Sequence, residues 1–309
     1  MDHAVYRLQD GAPSEPTRLE TAHYAANRTS RINAFTIDVE DYFQVEAFKQ
    51  TISRDDWDSM PARVDRNTGL LVDMLAGASV QATFFILGWV AERFPHVVRR
   101  IHDAGHEVAS HGYGHELAHV QSRDDFRTDI RQAKHLLEDV CGSRVKGYRA
   151  PTFSIRRENW WAYDVLAEEG YAYSSSLYPV SHDLYGMPDA PTGPFRPGDS
   201  PLVEIPLSTM KFGSRNIPCS GGGYFRLLPY GVSRLCLDRA LRQRSSALVF
   251  YCHPWEFDPG QPRIPASAKS RFRHYTNIGR MPSRVARLLG EFRWGRMDQA
   301  FARELGETP

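Results

Sequence analysis

Three acids, Asp38, Glu40 and Asp41, crowd the end of the apolar stretch Asn33-Ala-Phe-Thr-Ile-Asp-Val-Glu-Asp-Tyr-Phe43. A stretch this apolar is expected to be a buried strand, and carboxylates gathered at its end repel one another and lose solvation. A metal ion, a cationic partner or a shared proton would relieve them, so the cluster points to a metal-assisted active site. The histidines include three pairs spaced by four, His102/His106, His111/His115 and His115/His119. Gly105 separates the first pair. His111 and His115 lie in Ser-His-Gly-Tyr-Gly-His, where two glycines let a loop bend both imidazoles toward one ion. Arg149 and His253 each follow another candidate strand. Cys252, beside His253, reads as a small buried hydrophobe rather than a nucleophile.

These residues need elements to position them. Apolar residues at helical spacing predict helices over 63–76, 90–104 with an interruption near Pro95, 122–141, 158–169 and 231–243, with a last amphipathic helix around Val285 to Phe292. Short apolar or β-branched runs at 82–87, 107–110, 145–148, 171–174, 202–205 and 247–252 predict strands. Ser122 with Asp125 three residues later forms a capping box. The alternation of strand and helix predicts parallel strands with helices packed outside, and chemistry in such folds gathers at the carboxyl ends of the strands. Residues 1–31 lack sustained apolar periodicity and are expected to be a mobile tail. Residues 32–309 form one domain, with a loop-rich insertion around 175–230 and a C-terminal helix.

The 309 residues carry 38 basic and 37 acidic side chains, a net charge of +1, which gives no whole-chain field to attract nucleic acid or an anionic membrane. No window reaches the ~18 apolar residues of a membrane span, and the polar start lacks the apolar core of a signal peptide. The cytoplasm is therefore the expected location, with four reduced cysteines; oligomeric assembly is left open.

In this order, the acidic strand end, Ser110-His111-Gly-Tyr-Gly-His115, Arg149-Ala-Pro151 and Tyr251-Cys-His253-Pro resemble the polysaccharide deacetylases of carbohydrate esterase family 4, with the NodB homology domain. Ala-Thr-Phe-Phe-Ile-Leu-Gly-Trp-Val-Ala-Glu, Tyr-Arg-Ala-Pro-Thr-Phe-Ser and Ser-Gly-Gly-Gly-Tyr-Phe-Arg are similar to the subgroup found with exosortase (PEP-CTERM) exopolysaccharide loci. The resemblance implies a distorted (β/α) barrel and a hydrolase of carbohydrate metabolism that removes N-acetyl groups from an N-acetylated glycan or its precursor. It also implies a divalent metal: zinc first, with cobalt, nickel or manganese as alternatives.

By the same resemblance Asp38 is the general base, steered by Arg149, and His111 and His115 are metal ligands. His253 donates a proton to the leaving amine, and a backbone N–H after Pro151 stabilises the oxyanion. The family's usual second aspartate is replaced by Val39, and a related branch instead selects Glu40 as the carboxylate ligand. Residues two apart on a strand share a face, which suits Glu40; Asp41 stays as a rival ligand or supporting residue. Thr152 stands where an aromatic is usual, and Tyr251 where an aliphatic is usual. Tyr224 and Arg226 are expected to contact sugar, by stacking and by hydrogen bonds to hydroxyls. Two other functions compete: a C–N hydrolase of small linear or cyclic amides, as in the allantoinase-like branch, and a non-catalytic glycan-binding module.

Overall fold

A computed structural model describes residues 31–307. The expected tail thus lies outside the described residues, apart from Arg31, whose guanidinium donates to the carbonyls of Arg244 and Ser246. Seven strands run parallel in neighbouring order: β9 (Val249–Cys252), β1 (Asn33–Val39), β2 (Thr83–Ile86), β3 (Glu107–Ser110), β4 (Gly147–Tyr148), β5 (Tyr173–Ser174) and β6 (Val203–Glu204). A short β10 (Trp294–Gly295) joins the amino end of β1. The result is a half-barrel of mostly parallel sheet with helices outside, as the alternating pattern predicts, and it is the distorted (β/α) barrel that the resemblance implies.

The two-residue period of β1 divides its side chains between two apolar clusters. Phe35, Ile37 and Val39 pack outward beneath the helices, with Phe84, Ile86 and Val108 beside them. Ala34 faces inward with Phe85, Ala109, Tyr173, Val249 and Tyr251. Asp38 shares the inward parity and lies opposite Phe85, so the strand itself delivers its carboxylate into the barrel.

The main helices are α1 (Val64–Gly77), α2 (Gly88–Arg93), α3 (Pro95–Asp103), α4 (Arg123–Cys141), α5 (Ala162–Glu168), α6 (Gly222–Leu227), α7 (Tyr230–Arg242), α8 (Ala268–Tyr275) and α9 (Met281–Glu291). Pro95 cannot continue α2 and instead opens α3, as its position implied. Ser122 Oγ accepts from the Asp125 amide at 3.1 Å and caps α4, which ends at Gly142 with φ +65°.

The region 175–230 is more ordered than an elaborated loop. β7 (Thr209–Phe212) and β8 (Arg215–Pro218) make an antiparallel hairpin, and the glycine run opens α6. At the amino end of the barrel, Met297 and Phe301 join the inner cluster, and the Met297 amide donates to Thr83 Oγ1 at 2.7 Å. The C-terminal segment therefore plugs the barrel opposite the predicted site.

Candidate active site

Backbone rungs continue one residue past each strand and set the site's floor. The His111 amide donates to the Ile86 carbonyl, that of Arg149 to Ser110, and that of Ser175 to Tyr148. Ile37 pairs with Cys252, so His253 emerges beside Asp38. Residues from five chain segments thus share one level.

Arg149 is fully buried, a placement that costs several kcal/mol unless its charge is met. Its Nη1 donates to Asp38 Oδ1 at 2.6 Å and to Thr36 Oγ1 at 2.8 Å, while Nε and Nη2 donate to the carbonyl and hydroxyl of Ser175 at 3.1 Å each. The guanidinium lies over the Phe85 ring at 4.0 Å. One oxygen of Asp38 is thereby fixed, and the other faces His253 Nε2 at 3.9 Å.

Glu40, His111 and His115 bring their ligand atoms within 4.8 Å of one another, all three buried. The strand period alone does not place Glu40: β1 ends at Val39, and a tight turn with the Glu40 amide donating to the Asp38 carbonyl at 3.1 Å brings the side chain inward. His111 Nδ1 lies 2.8 Å from the Arg149 carbonyl, which must accept; the proton therefore sits on Nδ1 and Nε2 keeps its lone pair. Burial takes the His111 pKa down to about 4, which keeps it neutral. Glu40 Oε2 is 2.8 Å from His115 Nε2, yet no donor is aligned on it. A buried carboxylate oxygen without a donor, facing two imidazoles, fits a cation. Burial disfavours ionised Glu40, but the neighbouring imidazoles outweigh it and hold its pKa at about 2. Left-handed backbone at His115, φ +54°, shows that the loop is bent to aim this ring.

Asp41 stands apart from the ligand cluster. Its Oδ2 accepts from the amides of Arg63 and Val64 at 2.5 and 2.8 Å, and Oδ1 accepts from the Tyr42 amide at 2.8 Å. It caps the start of α1. Burial raises its pKa to about 6, against those three donors.

His253 has a carboxylate on each side. Nε2 lies 3.6 Å from Glu40 Oε1, and Nδ1 lies 3.4 Å from Glu256 Oε2. Burial alone would depress this imidazole; the hydrogen bond to Glu256 and the charges of Glu40, Glu256 and Asp38 instead raise it to about 9. Glu256 is held in turn by Arg226 Nε at 2.7 Å.

Arg226 therefore corrects the expectation of a sugar contact. It is 2 % exposed, and its remaining donors go to the carbonyls of Arg273, His274 and Thr276. The glycine run has a packing reason: a Cβ on Gly221 would meet the Tyr251 ring at 2.3 Å, and one on Gly222 the Glu256 carboxylate at 1.9 Å. Tyr224 is half-buried and bonded to Tyr185.

Sequence reasoning assigned no role to Glu256 or to Trp255. Trp255 Nε1 donates to Glu40 Oε1 at 3.1 Å, and its ring stacks on His253. The His-Pro-Trp-Glu spacing was the available signal, a carboxylate three residues past a strand-end histidine. Pro151 is buried, and Thr152 beside it has left-handed backbone, φ +54°. Cys252 is buried, and burial pushes its thiol well above the usual range.

The comparisons divide the chain. Residues 55–172 match the polysaccharide deacetylase family and hold His111, His115, Arg149, Pro151 and Thr152. Residues 175–302 match a domain of unknown function, DUF3473, and hold His253 and Glu256. β9 and β10 of the second segment pair with β1, which precedes both matched segments.

Among curated relatives, a peptidoglycan-N-acetylglucosamine deacetylase of Bacillus cereus is 36 % identical over 27 % of this chain and 30 % of its own length. A chitooligosaccharide deacetylase of Sinorhizobium fredii is 30 % identical over 47 % of this chain and 61 % of its own. The chain thus spans less than two thirds of either relative. A Mycobacterium smegmatis crystal structure, described as a candidate polysaccharide deacetylase, shares the fold at TM-score 0.59 and 23 % identity, over 98 % of this chain and 97 % of that one. The matched segment and these relatives thus agree on the polysaccharide deacetylase family for residues 55–172, and the fold is shared over nearly the whole chain.

Proposed function

We propose that this protein hydrolyses N-acetyl groups from the amino sugars of a poly- or oligosaccharide, with a divalent metal, zinc first, held by Glu40, His111 and His115. The observation that carries the reading is the position of Asp38, pinned by Arg149 on one oxygen and open toward His253 on the other. A bound divalent cation would supply Lewis acidity to the amide carbonyl and to a water. Asp38 takes the proton of the attacking water, and Arg149 holds it aimed. His253 gives a proton to the departing amine nitrogen. The backbone N–H after Pro151 adds a donor to the developing oxyanion. Tyr224, half-buried beside Tyr185, supports stacking on a sugar face.

The two relatives' names supply the substrate class, and the resemblance to exosortase-associated sequences supports a role in exopolysaccharide biosynthesis. A cytoplasmic enzyme would meet that glycan as a lipid-linked or nucleotide-linked precursor; finding the protein only in a periplasmic fraction would overturn this placement. Acetate release from N-acetylated amino-sugar oligomers is the direct assay. Chelation is expected to abolish release and added zinc to restore it, and unchanged release after verified metal removal would sink the metal mechanism.

Glu256→Gln tests the acid. His253 bears its proton below its pKa, so the rate is lost as pH rises through about 9. Without the Glu256 charge that loss moves to lower pH, and a shift of about one pKa unit lowers kcat about twofold at pH 8 and about tenfold at pH 10. An alkaline limb that stays in place while the variant unfolds normally would remove Glu256 from this role.

A further inference from the structure

Net charge near neutrality conceals a local asymmetry. Residues 209–245 contain seven bases, Lys211, Arg215, Arg226, Arg234, Arg239, Arg242 and Arg244, against one acid, Asp238. Asp238 is buried and engaged by Arg242. Arg226, Arg234 and Arg244 are committed to Glu256, Glu291 and Ser208 respectively. Lys211, Arg215 and Arg239 are exposed, and among the described residues no carboxylate pairs with them. The nearby Asp189 carboxylate, one residue from the Pro188 carbonyl that Asn216 contacts, is engaged by Arg157.

Large apolar side chains share this surface. Phe212, at the hairpin tip, is 65 % exposed, and Val232 and Leu235 on α7 are 44 % and 64 % exposed. Val232, Leu235, Arg239 and Arg242 fall at helical spacings of three, four and three, so they line one outward stripe. The hairpin is fixed at the far end of that stripe, where the Lys211 amide donates to Gln243 Oε1 at 2.8 Å and Gln243 Nε2 donates back to the Lys211 carbonyl at 3.0 Å. From Val232 to Gln243 the helix rises about 16 Å. Exposed aromatic and aliphatic groups interleaved with unpaired cations complement an anionic lipid surface: the apolar groups enter the acyl boundary and the cations meet headgroup phosphates.

We propose that the hairpin and the outer face of α7 form a peripheral docking surface for an anionic bilayer. No helix among the described residues is long and apolar enough to cross one, and none is required. The surface shares no residue with the catalytic cluster.

Cosedimentation of the full chain with phosphatidylcholine vesicles, with and without phosphatidylglycerol, tests it. Binding is expected only with phosphatidylglycerol and should weaken with salt. Lys211→Ala, Arg215→Ala and Arg239→Ala are each expected to weaken partitioning about fivefold, and Phe212→Ser about tenfold. Acetate release from soluble oligomers should be unchanged in these variants, so docking and catalysis fail separately. Equal binding to both vesicle types, no binding, or variants that bind like the parent would overturn the proposal. So would a dimer in sedimentation velocity that Phe212→Ser dissociates, if vesicles are not bound, since that assigns the face to a second copy.

Discussion

Asp38→Asn is expected to lower kcat for acetate release by about 10² to 10⁴, the span of a removed general base, while the bound metal stays at one equivalent with Glu40, His111 and His115 intact. The substitution isolates the proton transfer. Asparagine keeps an oxygen for Arg149 Nη1, now 2.6 Å from Asp38 Oδ1, so the buried guanidinium is not left bare. It cannot accept the proton of an attacking water. Asp38 also lies outside the three-residue ligand cluster. Metal analysis of the purified variant beside steady-state kinetics decides the matter: loss of metal would show that base and ligand had been exchanged, and retained turnover would remove Asp38 from the chemistry.

Much of this arrangement was legible because strand ends are legible. Asp38, His111, Arg149 and His253 each follow a short apolar run, and the inward parity of Asp38 follows from the outward packing of Phe35, Ile37 and Val39. The carboxylate ligand was legible only as a choice between Glu40 and Asp41. Glu40 enters through a turn rather than by strand parity, and Asp41 is claimed by the amino end of α1, whose approach depends on tertiary packing.

Arg226 was misread for a related reason. A glycine run followed by an aromatic and an arginine suits a groove, but Gly221 and Gly222 are required by the close approach of Tyr251 and Glu256, contacts more than 25 residues away in sequence. The hairpin did carry a local signal, Gly213-Ser214 between Phe212 and Arg215, a two-residue turn with a glycine at φ +59°. Proline and glycine elsewhere in that region obscured it.

Arg149→Met should be the most destabilising single change in the site. It replaces a fully buried cation by an apolar side chain of similar length, and leaves Asp38, 2 % exposed, without its charge partner. Breaking a buried ion pair from one side costs about 3–5 kcal/mol, which corresponds to a fall in Tm of about 10 °C for a domain of this size. The Thr36 hydroxyl and the Ser175 carbonyl and hydroxyl also lose the donors that satisfied them. Activity should fall with stability, because Asp38 loses the donor that fixes one of its oxygens and aims the other. A double-mutant cycle separates the pair from the rest of the network. In the Asp38→Asn background, Arg149→Met removes no carboxylate partner, so its cost should shrink by at least about 1 kcal/mol. Equal costs in both backgrounds, measured by denaturant unfolding of the metal-loaded protein, would mean that Arg149 holds the barrel together through Thr36 and Ser175, and that the salt bridge to Asp38 contributes little to the fold.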